Sequence, residues 1–220
     1  MKTLLLPLLF TILSATILPA ATADSLDLRS SGDIVVSTDS LGDLRILLGV
    51  NETSQGVWRG VSPSQKASPS SGKSVEGEMV FPFPDGSEIT MKISAKIEGP
   101  NLPVRYSWLT ESSAKGFAGL TLVVPGDVAK DLTIEEDGKS IFVDFDKVAY
   151  LQKGSEIVFR HTSTGAFLFK ITGEIVGGGT VFNTDKLDDG LQLRIGTAPS
   201  DMNSTISDVK ETGWTLSFKE

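Results

Sequence analysis

Hydrophobic and polar residues alternate along most of the chain after residue 32, a pattern typical of β-strands with one buried face. The clearest example is 89–97, which alternates for nine residues. Shorter runs rich in strand-forming residues occur at 34–36, 44–50, 76–83, 104–108, 120–124, 132–134, 141–145, 157–159, 166–171, 191–195 and 214–218. Each of these runs predicts a strand.

Turn-forming residues separate the predicted strands. Asp85-Gly86, Asp137-Gly138 and 163–165 (Ser-Thr-Gly) each predict a hairpin, and 188–190 (Asp-Asp-Gly) precedes another strand. Helical periodicity is absent from every window of twelve residues, with at most one turn at 127–130. A parallel sheet needs crossover helices, so we predict an all-β, antiparallel β-sandwich of the jelly-roll or a similar type.

The first 23 residues predict a cleaved signal peptide. Lys2 precedes an apolar stretch at 4–19, and Ala21-Thr22-Ala23 supplies small residues at the cleavage position before Asp24. Residues 24–220 then form a single β-sandwich domain, with a mobile Ser/Pro-rich loop at 62–74. No later run is apolar enough to span a bilayer, so we expect a secreted or periplasmic protein without a membrane span.

Composition narrows the possible functions. The absence of cysteine excludes disulfides and thiol chemistry, and in an exported protein it favours a bacterial origin. A formal net charge of −8 makes the protein acidic and argues against nucleic acid as a partner. A 40% share of hydrophobic residues is sufficient for a packed core.

Catalytic residues are not predicted. His161 is the one histidine of the chain, and it lacks the Gly-x-Ser-x-Gly element that would accompany a serine nucleophile. We therefore expect it to be structural or to lie at a rim. Asp144 and Asp146 alternate on one strand, but nothing in the pattern places either acid in the apolar environment that a general acid needs.

Trp58 is the aromatic residue that we predict to contact a ligand. It lies between Gly56 and Gly60, with Gln55 and Arg59 as polar neighbours, and aromatic rings stack on the apolar faces of sugars. Burial of Trp58 in the core remains the alternative. Trp108 and Trp214 alternate with other apolar residues and are predicted to be core residues.

Asn183, Asp185, Asp188 and Asp189 form an oxygen-rich cluster within seven residues. Such clusters in β-sandwich loops bind calcium, so a structural Ca²⁺ is one hypothesis and an acidic hairpin loop is the other. No other cofactor is predicted.

Several short motifs resemble accessory, non-catalytic β-sandwich domains appended to bacterial polysaccharide-degrading enzymes. They are 116–125 (GFAGLTLVVP), 137–139, 167–169, 185–186 and 191–195, and the resemblance covers about 75–197. It implies a carbohydrate-related, non-catalytic role with a polysaccharide or oligosaccharide as partner. The alternatives are a structural or protein-interaction protein of the surface or periplasm, whose protein partner is unknown, and a small secreted glycan hydrolase.

Overall fold

The computed structural model of the protein describes residues 21–54, 57–110, 115–141, 149–151, 156–174, 180–187, 190–197, 205–206 and 209–220. Within these ranges the chain forms seventeen β-strands and one helical turn. The strands are β1 (Ala23–Leu28), β2 (Ile34–Thr38), β3 (Asp43–Ser54), β4 (Val57–Gly60), β5 (Ser70–Gly72), β6 (Ser74–Pro82), β7 (Glu88–Lys96), β8 (Asn101–Thr110), β9 (Gly116–Val124), β10 (Leu132–Glu136), β11 (Lys139–Ile141), β12 (Ala149–Leu151), β13 (Ile157–His161), β14 (Phe167–Glu174), β15 (Thr180–Leu187), β16 (Gly190–Thr197) and β17 (Val209–Ser217). The helical turn, α1, is Gly126–Ala129.

The strands form two antiparallel sheets, which confirms the predicted all-β sandwich class. Sheet A has the order β12-β15-β16-β9-β3-β2-β1-β5, with β4 paired to β3, and sheet B has the order β11-β10-β13-β14-β17-β8-β7-β6. Consecutive strands are often neighbours, as expected where short turns make the connections.

The predicted hairpins form where Gly and Asp supply the turns. The β10–β11 turn has positive φ at both Asp137 (47°) and Gly138 (74°), the geometry that matches the twist of a two-residue hairpin. The β6–β7 and β13–β14 hairpins each turn on a glycine with positive φ, Gly86 and Gly165. The single helical turn expected near 127–130 is also present, as α1.

One hydrophobic core lies between the two sheets. Phe159 and Phe169 on neighbouring strands stack with ring centroids 4.3 Å apart, and Phe218 tilts against Phe169 at 6.3 Å. Trp108 and Trp214 are 5% and 4% exposed, so the prediction that both are core residues is confirmed.

The described fold begins ahead of the boundary that the sequence predicts at Asp24. Ala23 pairs with Thr38 in the β1–β2 ladder, and Ala21 is only 2% exposed. Thr22 donates its backbone N–H and its hydroxyl to the carboxylate of Asp39. A register shift between Ala23 and Ser25 breaks the period-two alternation. The alternating apolar positions that remain are Leu26 and Leu28, a run too short to predict a strand.

The segment 62–74 contains regular structure that its polar composition does not predict. Ser70–Gly72 pairs with β1 as the last strand of sheet A, Ala67 is buried, and Gln65 makes a bridge to Val80. Backbone hydrogen bonds to neighbouring strands, together with the burial of Ala67, give this segment its position. The chain then passes from sheet A to sheet B through Lys73.

Candidate functional site

The residues predicted to bind a ligand lie on the hairpin of β3 and β4. The ladder pairs Glu52 with Arg59 and Thr53 with Trp58, while Gln55 lies outside the described residues. β3 is twelve residues long and is paired with β2 through its first residues and with β4 through its last. The β3–β4 hairpin therefore extends sheet A past Ile34, the first residue of β2.

Asn51 is an additional polar residue of this hairpin, and it was not among the predicted binding residues. Its Nδ2 lies 3.9 Å from the position that a Cβ on Gly49 would occupy, and its Oδ1 lies 3.8 Å from the corresponding position on Gly60. Neither Gly49 nor Gly60 carries a side chain, and on its other side the partly exposed Asn51 pairs with Phe117 of β9. Arg59 is exposed and pairs with Glu52 on the next rung, so the ladder places the guanidinium on the face opposite to that of the Asn51 amide.

The residues of the calcium hypothesis lie at the β15–β16 hairpin. Asn183 and Asp185 are within β15, where they pair with Arg194 and Gln192 of β16. Asp188 and Asp189 lie outside the described residues, as do Asp144 and Asp146. In the part of the chain that the structure describes, no group of three or more His, Asp or Glu side chains could share a metal ion. The calcium site stays a prediction.

His161 has an acidic partner that its sequence neighbourhood does not reveal. Its Nδ1 lies 2.6 Å from Oδ2 of Asp131, a residue in the turn between α1 and β10. The same carboxylate accepts the hydroxyl of Ser163 at 2.7 Å and the backbone N–H of Ser163 at 3.1 Å. The hydrogen bonds from Ser163, and then the contact with His161, lower the pKa of Asp131.

This three-residue group does not have the order of a catalytic triad. In a triad the imidazole lies between the serine and the acid, so that it can take the proton of the hydroxyl. Here the hydroxyl and the imidazole both contact Oδ2 of Asp131. The carboxylate therefore fastens the β13–β14 turn to the segment preceding β10, in keeping with a structural or rim histidine.

Sheet B carries two shallow surface grooves that sequence reasoning did not suggest. The larger, about 420 Å³, is lined by Gln65, Lys66, Ser68, Glu76, Gly77, Glu78 and Lys92. Within it Lys92 and Glu78 form an ion pair at 3.2 Å. The smaller, about 270 Å³, lies over β8, β14 and β17. Polar and apolar atoms line both grooves in similar proportion.

No protein-family model matches the chain, and no curated protein matches it significantly. The described residues include no helix with the length and apolar character needed to cross a bilayer.

Proposed function

We propose that the protein is an exported, non-catalytic β-sandwich that binds polysaccharide or oligosaccharide chains through the β3–β4 hairpin. The observation that carries the proposal is the ladder of this hairpin, which aligns Asn51 and Glu52 with a strand containing Trp58 and Arg59. The apparent signal peptide and the resemblance to accessory domains of polysaccharide-degrading enzymes support the same conclusion.

The chemistry of the hairpin suits a sugar. Pyranose rings have an apolar face that stacks on tryptophan and hydroxyls that both donate and accept hydrogen bonds. An asparagine amide supplies one acceptor and two donors, and the register puts Asn51 on the same face of the ladder as position 58, while Arg59 offers its donors at the opposite face. Asn51 borders two glycines, so neither Gly49 nor Gly60 contributes a Cβ that would obstruct the approach of a ring to its amide.

The test is an array of bacterial, plant and animal glycans probed with the wild-type protein, Trp58→Ala and Leu109→Ala. Leu109 is a matched control because it is a large apolar residue, 61% exposed, on sheet B. We expect wild type and Leu109→Ala to bind the same glycans. Trp58→Ala should bind at least about tenfold more weakly, which corresponds to about 1.4 kcal/mol.

Two results would contradict the proposal. If the wild type binds no glycan on the array, the carbohydrate function is wrong. If Trp58→Ala binds as tightly as the wild type, the hairpin is not the binding surface.

A further inference from the structure

The smaller groove of sheet B is lined by two glycines, on neighbouring strands, at positions that cannot carry a side chain. A Cβ on Gly213 of β17 would lie 2.0 Å from the carbonyl oxygen of Val104, far inside van der Waals contact. A Cβ on Gly173 of β14 would lie 2.9 Å from the carbonyl oxygen of Gly213. Close approach of the three strands thus requires glycine at both positions, and both glycines line a depression of about 270 Å³.

Arg105 forms one wall of this groove. Its side chain donates from Nη1 to the carbonyl oxygen of Val104 at 3.2 Å, the same oxygen that abuts Gly213. The guanidinium is therefore held beside the depression by a backbone oxygen of its own strand. A guanidinium has five N–H donors, and this bond uses one of them.

Hydroxyls and a carboxylate complete the lining. Thr172 and Thr215 are directly opposite each other in the β14–β17 ladder and are both partly exposed, and Glu211 is exposed on β17. The groove thus combines a planar hydrogen-bond donor, the guanidinium, with an acceptor, the carboxylate, and with two hydroxyls that can each donate and accept. Trp214 also borders the groove, but at 4% exposure it belongs to the core and offers little stacking surface.

The balance of charge indicates which kind of ligand fits. Arg105 and Glu211 carry opposite charges, so the groove has no net charge to attract an anion, and the formal charge of the whole chain is −8. A uronic acid or a sulfated sugar would meet repulsion from Glu211 and from the rest of the chain. A neutral sugar instead has hydroxyls that can accept from Arg105 and donate to Glu211.

We infer that this groove is a second saccharide subsite, on the sheet opposite the β3–β4 hairpin, and that it takes one ring of a neutral polysaccharide. Drug-sized ligands usually occupy about 300–1,000 Å³. The groove is slightly smaller, which matches a single ring. The inference rests on the proposed carbohydrate function, which it extends by naming the sugar class and a second point of contact.

The experiment titrates the full chain with neutral and acidic oligosaccharides and follows backbone amide shifts by NMR. The probes are cellopentaose, xylopentaose, mannopentaose and laminaripentaose, with a pentagalacturonate as the acidic comparison. The variants are Arg105→Ala, Thr172→Val, Trp58→Ala and, as the matched control, Arg29→Ala. Arg29 is also exposed but follows β1 of sheet A.

We expect a neutral pentasaccharide to shift amides around Gly173 and Gly213 in wild type, Arg29→Ala and Trp58→Ala. Arg105→Ala and Thr172→Val should weaken these shifts at least about fivefold. The two variants remove different groups, so a folding defect in one leaves the other as the test.

Three outcomes would overturn the inference, and they separate it from the proposed function. If shifts occur at the β3–β4 hairpin but not at the groove, the second subsite is wrong and the carbohydrate function stands. If the pentagalacturonate binds the groove more tightly than every neutral sugar, the ligand class is wrong. If no oligosaccharide shifts any amide, both proposals are wrong.

Discussion

The contact between Thr22 and Asp39 leads to a prediction about where the folded protein must begin. Thr22 donates its backbone N–H to Oδ1 of Asp39 at 2.9 Å and its hydroxyl to Oδ2 at 3.1 Å. Hydrogen bonds to a charged group contribute about 1.5–3 kcal/mol each, and exposed ones less. We take about 1 kcal/mol for each, so Asp39→Ala should lower the free energy of unfolding by about 2 kcal/mol.

The assay compares urea unfolding at pH 7 of chains that begin at Ala21 or at Asp24, each with and without Asp39→Ala. The longer chain should lose about 2 kcal/mol with the substitution, equivalent to about 4–8 °C in Tm for a protein of this size. The shorter chain lacks Thr22, so it should already be less stable, and Asp39→Ala should change it by less than about 0.5 kcal/mol.

The same contact predicts a pH dependence. The hydrogen bond from the Thr22 backbone is the main reason that the pKa of Asp39 lies below its ordinary value. A carboxyl whose folded pKa is lowered stabilises the fold above its unfolded pKa, and that contribution is lost as the pH falls through the folded value. The gap between wild type and Asp39→Ala in the longer chain should therefore shrink below about pH 4.

Equal effects of Asp39→Ala in the two chains would refute this reasoning, since the effect could not then depend on Thr22. No effect in the longer chain would refute it as well. A confirmed difference would mean that a chain beginning at Asp24 is less stable than one beginning at Ala21.

Two further predictions concern the core and the β13–β14 turn. Phe169→Ala should lower the free energy of unfolding in urea by about 3–5 kcal/mol, because the ring is fully buried. Phe167→Ala, at a half-buried position of the same strand, should lower it by less than about 2 kcal/mol. Similar losses for the two variants would contradict the placement of the core. Asp131→Asn should lower Tm at pH 7, because hydrogen bonds from Ser163 stabilise the charged carboxylate and lower the pKa of Asp131 in the fold. The difference in Tm from wild type should disappear as the pH falls below about 4 and the carboxylate becomes protonated. A difference that persisted unchanged at pH 2.5 would show that the charge of this carboxyl does not stabilise the turn.

Local patterns were enough to predict most of the strands and the hairpins. Alternation at 89–97 requires only that one face be buried, and it corresponds to β7 with Ile89, Met91 and Ile93 in the core. The Asp137-Gly138 turn is determined by the backbone preferences of two adjacent residues. Both kinds of information are present within a few residues of sequence.

Features that depend on distant pairing could not be predicted in this way. The partner of His161 is thirty positions away in Asp131, and only the adjacency of β10 and β13 brings them together. The groove at Gly213 depends on the register of β17 against β8, which no local pattern encodes. The flanking glycines are a local signal that points to Trp58, but the amide of Asn51 is brought next to it only through the β3–β4 ladder.

The outermost strands determine how readily a second chain could extend either sheet. The outermost strand β5 of sheet A is only three residues long, and the described residues on both sides of it belong to no strand of that sheet. The outermost strand β6 of sheet B has nine residues, but Ser64 and Gln65 already hydrogen-bond to Val80 along it, and it ends in Pro82. Short or obstructed edges are poor templates for intermolecular strand addition and aggregation. At these two edges a partner should therefore be recognised by side chains rather than by joining the backbone ladders.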